Sequence, residues 1–330
     1  MPVARIAGTG RHLPPRVVTN DAFRAWMDTS DDWIVARTGI RERRWVEGDV
    51  GASDLAVPAA RAAMAAAGVD GVDLLLFSTL SPDINFPGAG CLLQAKLGLG
   101  TVPAMDIRTQ CTGFLYGLAT ADAFVRARMA RSVLVVGAEV HSTGLDLSDR
   151  GRDVSVLFGD GAGAAVVVAS DDTDGPRIVD SLLHAEGAHA ELLMLEAPAS
   201  RHQPRIDAAM LDAGAHYPRM DGRGVYRHAV VRMPEVARAL LARNGLAPAD
   251  VDVLVAHQAN RRINERVAEE LGIPEARVVH TIEQWGNTTA ASIPSALDLA
   301  VRDGRVKPGD LVLLVAFGAG LTWGATLVRW

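Results

Sequence analysis

The chain has 330 residues, of which 49% are apolar, and a formal net charge of −6 at pH 7. This charge argues against a protein held on nucleic acid by a basic surface, and the longest apolar runs, such as 311–317, are too short to cross a bilayer. The 32 glycines and the alanine-rich composition are typical of a close-packed α/β protein with enough chain for two domains. Two cysteines, Cys91 and Cys111, make no disulfide framework, and the first residues have no apolar signal segment. We therefore expect a soluble cytoplasmic protein that binds neither nucleic acid nor a membrane.

The first hundred residues alternate apolar strands with helical patterns. We predict strands at 3–7 and 72–79, and helices that begin near Asn20 and extend over 53–67 and 88–97. Cys91 lies on the last of these helices without polar company, and we interpret it as part of the core. An arginine-rich segment at 29–43 contains Trp33, and a guanidinium beside an aromatic plane suits a ligand with phosphates and a planar base. On these residues alone, a solvated helix end with an ordinary surface tryptophan is the favoured interpretation.

Cys111 lies between a short apolar run, 102–105, and a helical pattern that extends to about Arg128. It therefore stands where a strand turns into a helix, and backbone N–H groups at a helix start have no partner within the helix. These groups and the helix dipole favour an anion, so we expect the thiol to ionise more easily and to act as a nucleophile. The alternative is a small buried cysteine packed under the helix.

The middle of the chain is less regular. A buried strand at 133–137 precedes a polar loop at 148–152, and the glycines of 158–163 predict a tight turn into a strand at 164–169. These glycines are not a phosphate loop, because no lysine follows them and no helix begins there. Residues 170–230 indicate loops and one connecting segment over the surface. A helix from 226 to 244 and a strand at 251–256 then begin a second regular block.

The two halves of the chain repeat one pattern of strand, helix, strand, helix, strand, with an offset near 178 residues. The helix start at Cys111 matches the segment 286–290, which contains Asn287. Two such units packed about a pseudo-twofold axis would turn both helix starts toward one cavity. Strands that alternate with helices also predict mainly parallel sheets between layers of helices. We divide the chain into an N-terminal half (1–170), connecting loops (171–225) and a C-terminal half (226–330).

His257 and Asn287 stand in the same kind of position as Cys111. His257 directly follows the strand at 251–256, and Asn287 precedes a helix at 293–301. Ligand sites in open α/β sheets lie beyond the carboxyl ends of the strands. Each residue alone has a plain explanation, since the chain has nine histidines and asparagine is a common helix cap. The three together, in a duplicated frame, predict a functional site.

Six segments of the chain form a specific set of motifs: 29–43, 106–113, 158–164, 257–260, 286–292 and 316–324. With these motifs, over nearly its whole length, the chain resembles the thiolase-fold condensing enzymes, and most closely the ketoacyl-acyl-carrier-protein synthase III group. The resemblance implies an α/β fold in which two thiolase-like βαβαβ halves form a layered α-β-α-β-α sandwich. It also implies a homodimer.

The resemblance further implies a decarboxylative condensation of an acyl-CoA primer, acetyl-CoA or another short acyl group, with malonyl-acyl carrier protein, which initiates fatty acid synthesis. Cys111 would hold the acyl group as a thioester, and the backbone N–H groups of Cys111 and Ala319 would form the oxyanion hole. His257 and Asn287 would donate hydrogen bonds to the malonyl thioester carbonyl and stabilise the enolate left as CO₂ departs. No cofactor and no metal are implied.

By the same resemblance, other residues would bind the two substrates. Coenzyme A would contact Thr29, Trp33, Arg37 and Arg150, with the adenine between Trp33 and Arg150. Phe158, Met220 and Phe317 would border the acyl pocket, and Phe86 would close the pocket of the neighbouring subunit. The loops of 171–225 would line the acyl pocket and the dimer interface. Arg261 and Arg262 would belong to a patch for the acidic carrier protein, or else only to a solvated helix start.

Departures from the family pattern leave the choice of primer open. Ala319 and Leu321 stand where glycine and phenylalanine are usual, Arg223 replaces an asparagine near the pantetheine, and the segment 191–217 is longer than in the shortest relatives.

The alternative function is that of a related enzyme of secondary metabolism with an aromatic or branched starter or a non-malonyl acceptor. A degradative thiolase would need a second cysteine in the C-terminal half, and a Cys-His hydrolase would leave Asn287 without a purpose. A non-catalytic partner subunit would have lost the cysteine.

Overall fold

A computed structural model describes the whole chain, residues 1–330, as two main β-sheets with helices around and between them. The strands are β1 (Val3–His12), β2 (Arg16–Thr19), β3 (Glu42–Trp45), β4 (Leu74–Ser78), β5 (Ala104–Ile107), β6 (Ser132–Glu139), β7 (Gly161–Ser170), β8 (Arg177–Ala185), β9 (Leu193–Leu195), β10 (Pro218–Met220), β11 (Val253–Ala256), β12 (Leu311–Gly318) and β13 (Thr322–Arg329). The helices are α1 (Asp31–Thr38), α2 (Ala52–Ala67), α3 (Gly90–Leu97), α4 (Gly113–Arg126), α5 (Arg152–Ser155), α6 (Ala208–Asp212), α7 (Gly222–Arg243), α8 (Arg261–Leu271), α9 (Ile282–Trp285) and α10 (Ser292–Arg302). None of these helices combines the length and the apolar character needed to span a membrane.

The two main sheets are mixed rather than mainly parallel. Their strand orders are β1-β7-β6-β4-β5 and β11-β12-β13-β8. Parallel pairing joins β4 to β5, β4 to β6 and β11 to β12, whereas the other neighbours are antiparallel. The prediction of mainly parallel sheets is therefore wrong. The prediction assumed that a helix connects each strand to the next. Strand β12 is instead followed directly by β13 after the short connection 319–321, and a connection this short joins antiparallel strands.

Three layers of helices alternate with the two sheets. Helices α2 and α3 pack on the outer face of the first sheet, and α7 and α8 pack on the outer face of the second. Helices α4 and α10 lie between the sheets, where their apolar residues join those of both sheets in the largest buried cluster of the molecule. Strands β4, β6 and β12 are buried along almost their whole length, as continuous apolar runs predict for central strands. The predicted layered α-β-α-β-α sandwich is confirmed.

The internal repeat is present with a constant offset of 179 residues. Leu74 pairs with Val133 in the first sheet, and the residues that lie 179 positions later, Val253 and Val312, pair in the second. Helices α4 and α10 also begin 179 positions apart. The expected offset of about 178 is thus corrected by one residue, and this correction decides which residues of the two halves correspond.

Two local predictions are wrong. Strand β8 lies in the segment 171–225, which we interpreted as loops, yet it pairs with β13 and forms the edge of the second sheet. Its side chains are mostly half-buried and include polar residues, so the segment has no continuous apolar run. Cys91 is exposed instead of belonging to the core, because only Gly90 and Leu93 of the short helix α3 are buried.

Arg43 is the bulkiest fully buried side chain, with no exposed surface. Its Nη1 donates to the carbonyl of Val18 at 3.2 Å and to Oδ1 of Asn20 at 2.8 Å, and its Nη2 donates to the carbonyl of Val156 at 2.6 Å. The guanidinium also lies 4.6 Å from the centre of the Phe23 ring. Burial lowers the pKa of Arg43 to about 9, so the side chain stays charged at neutral pH and depends on these partners.

We expect Arg43→Met to lower the free energy of unfolding by about 3 kcal/mol, because the substitution leaves several buried acceptors without a donor. Urea denaturation measures this difference. Arg24→Met, at an arginine whose side chain is 68% exposed, is the matched control and should change the free energy by no more than about 0.5 kcal/mol. Equal losses in the two variants would show that the buried contacts of Arg43 do not stabilise the fold.

Candidate active site

Cys111 lies in a tight turn between β5 and α4. The preceding residue, Gln110, has φ of 51° in the left-handed region, and this conformation reverses the chain sharply just before the helix. Cys111 is 7% exposed and packs against Gly318 at the end of β12. A Cβ atom at Gly318 would lie 2.5 Å from Cβ and 2.8 Å from Sγ of Cys111. Glycine is therefore required for β12 to approach the thiol this closely.

The same turn recurs in the second half. Thr289 has φ of 47° and stands 179 positions after Gln110, so Ala290 corresponds to Cys111. Asn287 lies three residues before Ala290, on the approach to the turn. Its side-chain Oδ1 accepts a hydrogen bond from the N–H of Thr289 at 2.9 Å. The amide nitrogen of Asn287 is consequently the group that can donate to a ligand.

Burial raises the pKa of the Cys111 thiol to about 12, and the negative charge of Glu139 acts in the same direction. The backbone N–H groups of Ala319 and of Cys111 itself, together with the Thr289 hydroxyl, lower this pKa but do not outweigh burial. The prediction that the thiol ionises more easily is therefore wrong in direction. The N–H groups of Cys111 and Ala319, which the family resemblance assigns to the oxyanion hole, are among the groups that lower this pKa.

His257 is buried at the carboxyl end of β11. Its Nδ1 lies 2.6 Å from Oγ of Ser292, whereas its Nε2 has no partner within the protein. Burial lowers the pKa of His257 to about 3, so the imidazole is neutral. The Ser292 oxygen also accepts the N–H of Gln258 at 3.4 Å. In the tautomer in which the Ser292 hydroxyl donates to Nδ1, the ring proton is on Nε2 and His257 presents a neutral donor.

A single cavity of about 1810 Å³ brings most of the predicted residues together. It is lined by Cys111, His257, Asn287, Ala319, Trp33, Arg37, Phe158, Met220, Phe317 and Arg262. The segment 190–205 also contributes to its wall. Four predicted residues lie outside this lining: Thr29, Phe86, Arg150 and Arg261. Thr29 borders a small neighbouring pocket, and Phe86 is 91% exposed.

The aromatic ring expected to bind adenine has cationic partners that differ from the predicted pair. The guanidinium carbons of Arg37 and Arg152 lie 4.2 and 5.0 Å from the centre of the Trp33 ring. Arg150 instead donates to Asp146 at 2.5 Å and to the carbonyl of Asp212 at 3.2 Å. Both Arg150 and Arg152 belong to the polar loop that the sequence singled out, but the pattern does not show which of the two faces Trp33.

The two arginines of the expected carrier-protein patch differ in their surroundings. Arg261 forms ion pairs with Glu265, Glu275 and Glu283, so its charge is neutralised locally. Arg262 is exposed, lies 5.7 Å from the centre of the Tyr226 ring and lines the cavity. Of the two arginines, only Arg262 belongs to the cavity lining.

Glu139 is a buried carboxylate beside the site that sequence reasoning missed. It accepts hydrogen bonds from the hydroxyls of Thr79 and Ser81, from the N–H groups of Leu80 and Ser81, and from the N–H of Ala290 at 3.5 Å. Burial nevertheless raises its pKa to about 7. The signal that could have revealed it is a lone acid at the end of the apolar run 133–138.

The raised pKa of Glu139 predicts a pH dependence of stability. The folded protein holds this proton more tightly than the unfolded chain, whose pKa is near 4.5. The contribution of Glu139 to stability is thus fully present below pH 4.5 and is lost as the pH rises through about 7. We expect the wild type to lose stability relative to Glu139→Gln across this interval, measured by urea denaturation at several pH values.

The comparison of wild type with Glu139→Gln also cancels the pH dependence of stability that comes from other titratable groups. The pKa of His257 is lowered by burial, so its contribution is lost as the pH falls, but it is present in both proteins. A difference between wild type and Glu139→Gln that does not change with pH would show that Glu139 remains ionised in the folded state.

A second cluster of titratable side chains lies away from the cavity lining. Glu186, His189 and His228 place one candidate ligand atom each within 4.8 Å of the others. Glu186 already forms an ion pair with Arg232 at 3.4 Å. The sequence pattern does not reveal this cluster, because His228 is distant from the other two residues along the chain.

Two family models match the chain. The model described as 3-oxoacyl-[acyl-carrier-protein] synthase III matches residues 105–187, and the model of its C-terminal part matches residues 241–330. The first range includes Cys111, and the second includes His257 and Asn287.

Full-length comparisons agree with these matches. The chain is 46% identical to β-ketoacyl-[acyl-carrier-protein] synthase III of Erythrobacter litoralis over 330 residues, covering 99% of both chains. It is 47% identical to the protein of that name from Rhodospirillum centenum, covering 98% of both chains. The crystal structure of 3-oxoacyl-[acyl-carrier-protein] synthase III from Aquifex aeolicus matches with a TM-score of 0.90 and 42% identity, covering 99% of this chain and 100% of that one. The chain therefore belongs to the 3-oxoacyl-[acyl-carrier-protein] synthase III family and is a condensing acyltransferase with the thiolase fold.

Proposed function

We propose that this chain condenses an acyl-CoA primer with malonyl-acyl carrier protein and thereby initiates fatty acid synthesis. The observation that carries the proposal is that Cys111, His257 and Asn287 line one cavity. Cys111 comes before α4, Asn287 comes before α10, and His257 follows β11. One of these residues offers a nucleophile and the other two offer neutral hydrogen-bond donors. The curated relatives share the synthase III name, which favours this reaction over the unusual starters of secondary metabolism.

In the first step, the Cys111 sulfur attacks the acyl-CoA carbonyl and forms a new thioester. The bond from the acyl carbon to the CoA sulfur breaks, and CoA leaves with the thiol proton. Because burial raises the pKa of Cys111, a mechanism in which the proton leaves the sulfur during the attack is favoured over ionisation beforehand. The N–H groups of Cys111 and Ala319 beside the sulfur stabilise the oxyanion of the tetrahedral intermediate.

In the second step, the malonyl thioester loses CO₂, and the electron pair of the broken C–C bond forms an enolate. Nε2 of His257 and the amide nitrogen of Asn287 donate to the enolate oxygen. The enolate carbon then attacks the acyl group on Cys111, the C–S bond breaks, and the sulfur takes up a proton from solvent water. Neutral donors suit this step, because they stabilise new negative charge without binding the malonyl carboxylate as a cation would.

We place the CoA nucleotide at Trp33, where Arg37 and Arg152 supply two guanidinium groups for the ring and the phosphates. Thr29 and Arg150 remain candidates for its outer contacts. Arg262, which is exposed and lines the cavity, is our candidate for the carrier protein, and Arg261 contributes less because three carboxylates surround it.

We expect Trp33→Ala to raise KM for acyl-CoA about tenfold with little change in kcat, because the lost stacking contact is remote from the reacting carbonyl. Initial rates at varied acyl-CoA concentration measure this effect. The N-acetylcysteamine thioester of the same acyl group has no nucleotide, and its KM should stay the same. An equal increase for both substrates would place Trp33 elsewhere than at the nucleotide.

We also infer a homodimer. Strand β5 is an edge of the first sheet, and Met105 on it is 42% exposed. An exposed edge strand with apolar side chains is a surface that a second copy can extend. The protruding Phe86 then contributes to the pocket of the second copy. Sedimentation equilibrium tests the assembly state.

The experiment that tests the proposed reaction is intact-protein mass spectrometry with a panel of acyl-CoAs, followed by malonyl-acyl carrier protein. We expect a mass increase that equals the acyl group and its discharge as a 3-oxoacyl carrier protein, and the panel identifies the primer. Loading without discharge by the malonyl substrate would instead support an acyltransferase with another acceptor. Absence of loading from every acyl-CoA would exclude the proposed first step.

A further inference from the structure

Glu186, His189 and His228 form a cluster of candidate metal ligands outside the lining of the active-site cavity. Glu186 directly follows β8, His189 lies in the short 3₁₀ segment Gly187–Leu192, and His228 lies in α7. One ligand atom of each residue is within 4.8 Å of the others, and all three residues are half-buried. The fold thus brings two imidazoles and a carboxylate from separate elements to one place that solvent can reach.

Two of the three residues stand on well-fixed parts of the backbone. The N–H of Glu186 donates to the carbonyl of Leu321 at 2.8 Å, and the N–H of Leu321 donates back to the carbonyl of Glu186 at 3.0 Å. His228 lies within the 22-residue helix α7, next to Ala229, which is buried against the second sheet. A metal that binds here therefore has to order side chains but not backbone, which lowers the entropic cost of binding.

The two carboxylate oxygens of Glu186 have different neighbours. Oε1 lies 4.0 Å from Nε2 of His189, whereas Oε2 accepts a hydrogen bond from Nη2 of Arg232 at 3.4 Å. Oε1 can therefore bind a metal while Arg232 holds Oε2, and carboxylates that ligate metals are commonly hydrogen-bonded in this way. Two ligands of a tetrahedral zinc ion are roughly 3.3 Å apart, so small rotations of these side chains suffice to enclose an ion.

The cluster is not a hydrogen-bonded Glu-His pair. The 4.0 Å between Oε1 of Glu186 and Nε2 of His189 is beyond hydrogen-bond distance. The rings of His189 and His228 lie 4.7 Å apart, centre to centre, and are inclined by 48°. Two imidazolium ions at this distance would repel each other, whereas two neutral rings each have a nitrogen lone pair to offer. A cation shared by the rings and the carboxylate satisfies all three groups.

Arg232 places a positive charge beside the cluster, but carboxylates balance it. Its Nη2 lies 3.4 Å from Oε2 of Glu186, and its Nη1 lies 3.3 Å from Oε2 of Glu235. The guanidinium carbon is also 5.2 Å from the centre of the Trp323 ring. Two carboxylates thus accompany one guanidinium, and the negative charge that remains favours a cation.

We propose that Glu186, His189 and His228 bind one Zn²⁺ ion, which joins the end of β8 to α7. Two imidazole nitrogens and one carboxylate oxygen are a ligand set that zinc uses together with a water molecule in the fourth position. Imidazole ligands disfavour Mg²⁺ and Ca²⁺, which prefer oxygen. The site is separate from the proposed reaction, whose residues line the cavity, so the failure of either proposal leaves the other unaffected.

Isothermal titration calorimetry of the whole chain with zinc chloride tests the site, after EDTA has removed any bound metal. We expect one ion per chain. His228→Ala and Glu186→Gln each remove one ligand and should weaken binding about 100-fold or more, because the loss of even an outer-shell partner costs about 10- to 100-fold. His202→Ala removes a half-buried histidine outside the cluster and is the matched control, with wild-type affinity.

Thermal unfolding of the same proteins shows whether the variants are folded. Without zinc, the Tm of each ligand variant should lie within about 2 °C of the wild-type value. Zinc at 100 times the wild-type Kd should raise the Tm of the wild type and of His202→Ala by about 3 °C, and that of the ligand variants by less than about 1 °C. Magnesium chloride should leave every Tm unchanged.

Cobalt(II) absorption of the wild type identifies the ligands, since the chain also has two free cysteines, Cys91 and Cys111. Binding by nitrogen and oxygen atoms gives visible bands without the strong near-ultraviolet band of a cobalt–thiolate bond. A cobalt–thiolate band would overturn the proposal, as would the absence of zinc binding or equal affinities in the wild type and both ligand variants. An equal loss of affinity in His202→Ala would do so as well.

Discussion

Replacing Cys111 with alanine should remove acyl loading and lower the rate of condensation by about four orders of magnitude or more, because the covalent intermediate can no longer form. The remaining residues of the cavity still bind both substrates, so the loss should appear in kcat rather than in KM. Intact-protein mass spectrometry measures loading, and formation of 3-oxoacyl carrier protein measures the overall reaction.

The chain supplies its own control for this substitution. Cys91→Ser removes the other thiol, which is exposed on α3 and outside the cavity lining, and it should leave both measurements unchanged. A mass increase that persists in Cys111→Ala but disappears in Cys91→Ser would place the acyl group on the wrong cysteine for our mechanism.

Substitution of His257 or Asn287 should separate the two steps. His257→Ala and Asn287→Ala each remove one donor to the enolate, and we expect each to slow condensation by about 10² to 10³. The acyl group should still load on Cys111 at close to the normal rate, since neither side chain is needed for the first attack. The loaded enzyme should therefore accumulate when malonyl-acyl carrier protein is added.

His184→Ala is the control for a lost histidine, because His184 is exposed and lies outside the cavity lining. It should neither slow condensation nor cause the loaded enzyme to accumulate. If His257→Ala loses loading as strongly as condensation, His257 acts on the Cys111 thiol instead of on the malonyl carbonyl.

Much of the fold could be predicted from the sequence because the apolar runs that predict its central strands occur in both halves of the chain. The apolar runs of β4 and β6 recur as those of β11 and β12, and their lengths are typical of buried strands. Cys111, His257 and Asn287 each stand at a strand end or helix start, which is where a layered α/β fold collects its polar groups. Their convergence on one cavity follows from the duplication rather than from any single motif.

The remaining features depend on contacts that the local pattern does not contain. The helix start at Cys111 predicted an easily ionised thiol, but burial by residues distant in sequence has the larger effect and opposite sign. Arg150 and Arg152 are two positions apart, and which of them faces Trp33 is decided by Asp146. Nε2 of His141 lies 2.8 Å from Oγ1 of Thr289. Almost half the chain separates these two residues, so the local sequence does not predict their contact.

The constant offset between the halves has one more consequence, which concerns the positions that face the two helix starts. Glu139 and Gly318 stand 179 positions apart, at the ends of corresponding strands, and each faces the helix start of the other half. At the Ala290 turn, the protein fills the anion-binding position with its own carboxylate. At the Cys111 turn, the glycine contributes no side chain, and in the proposed mechanism an oxygen of the substrate occupies that position. The same position of the repeat thus holds a carboxylate of the protein at one turn and no side chain at the other.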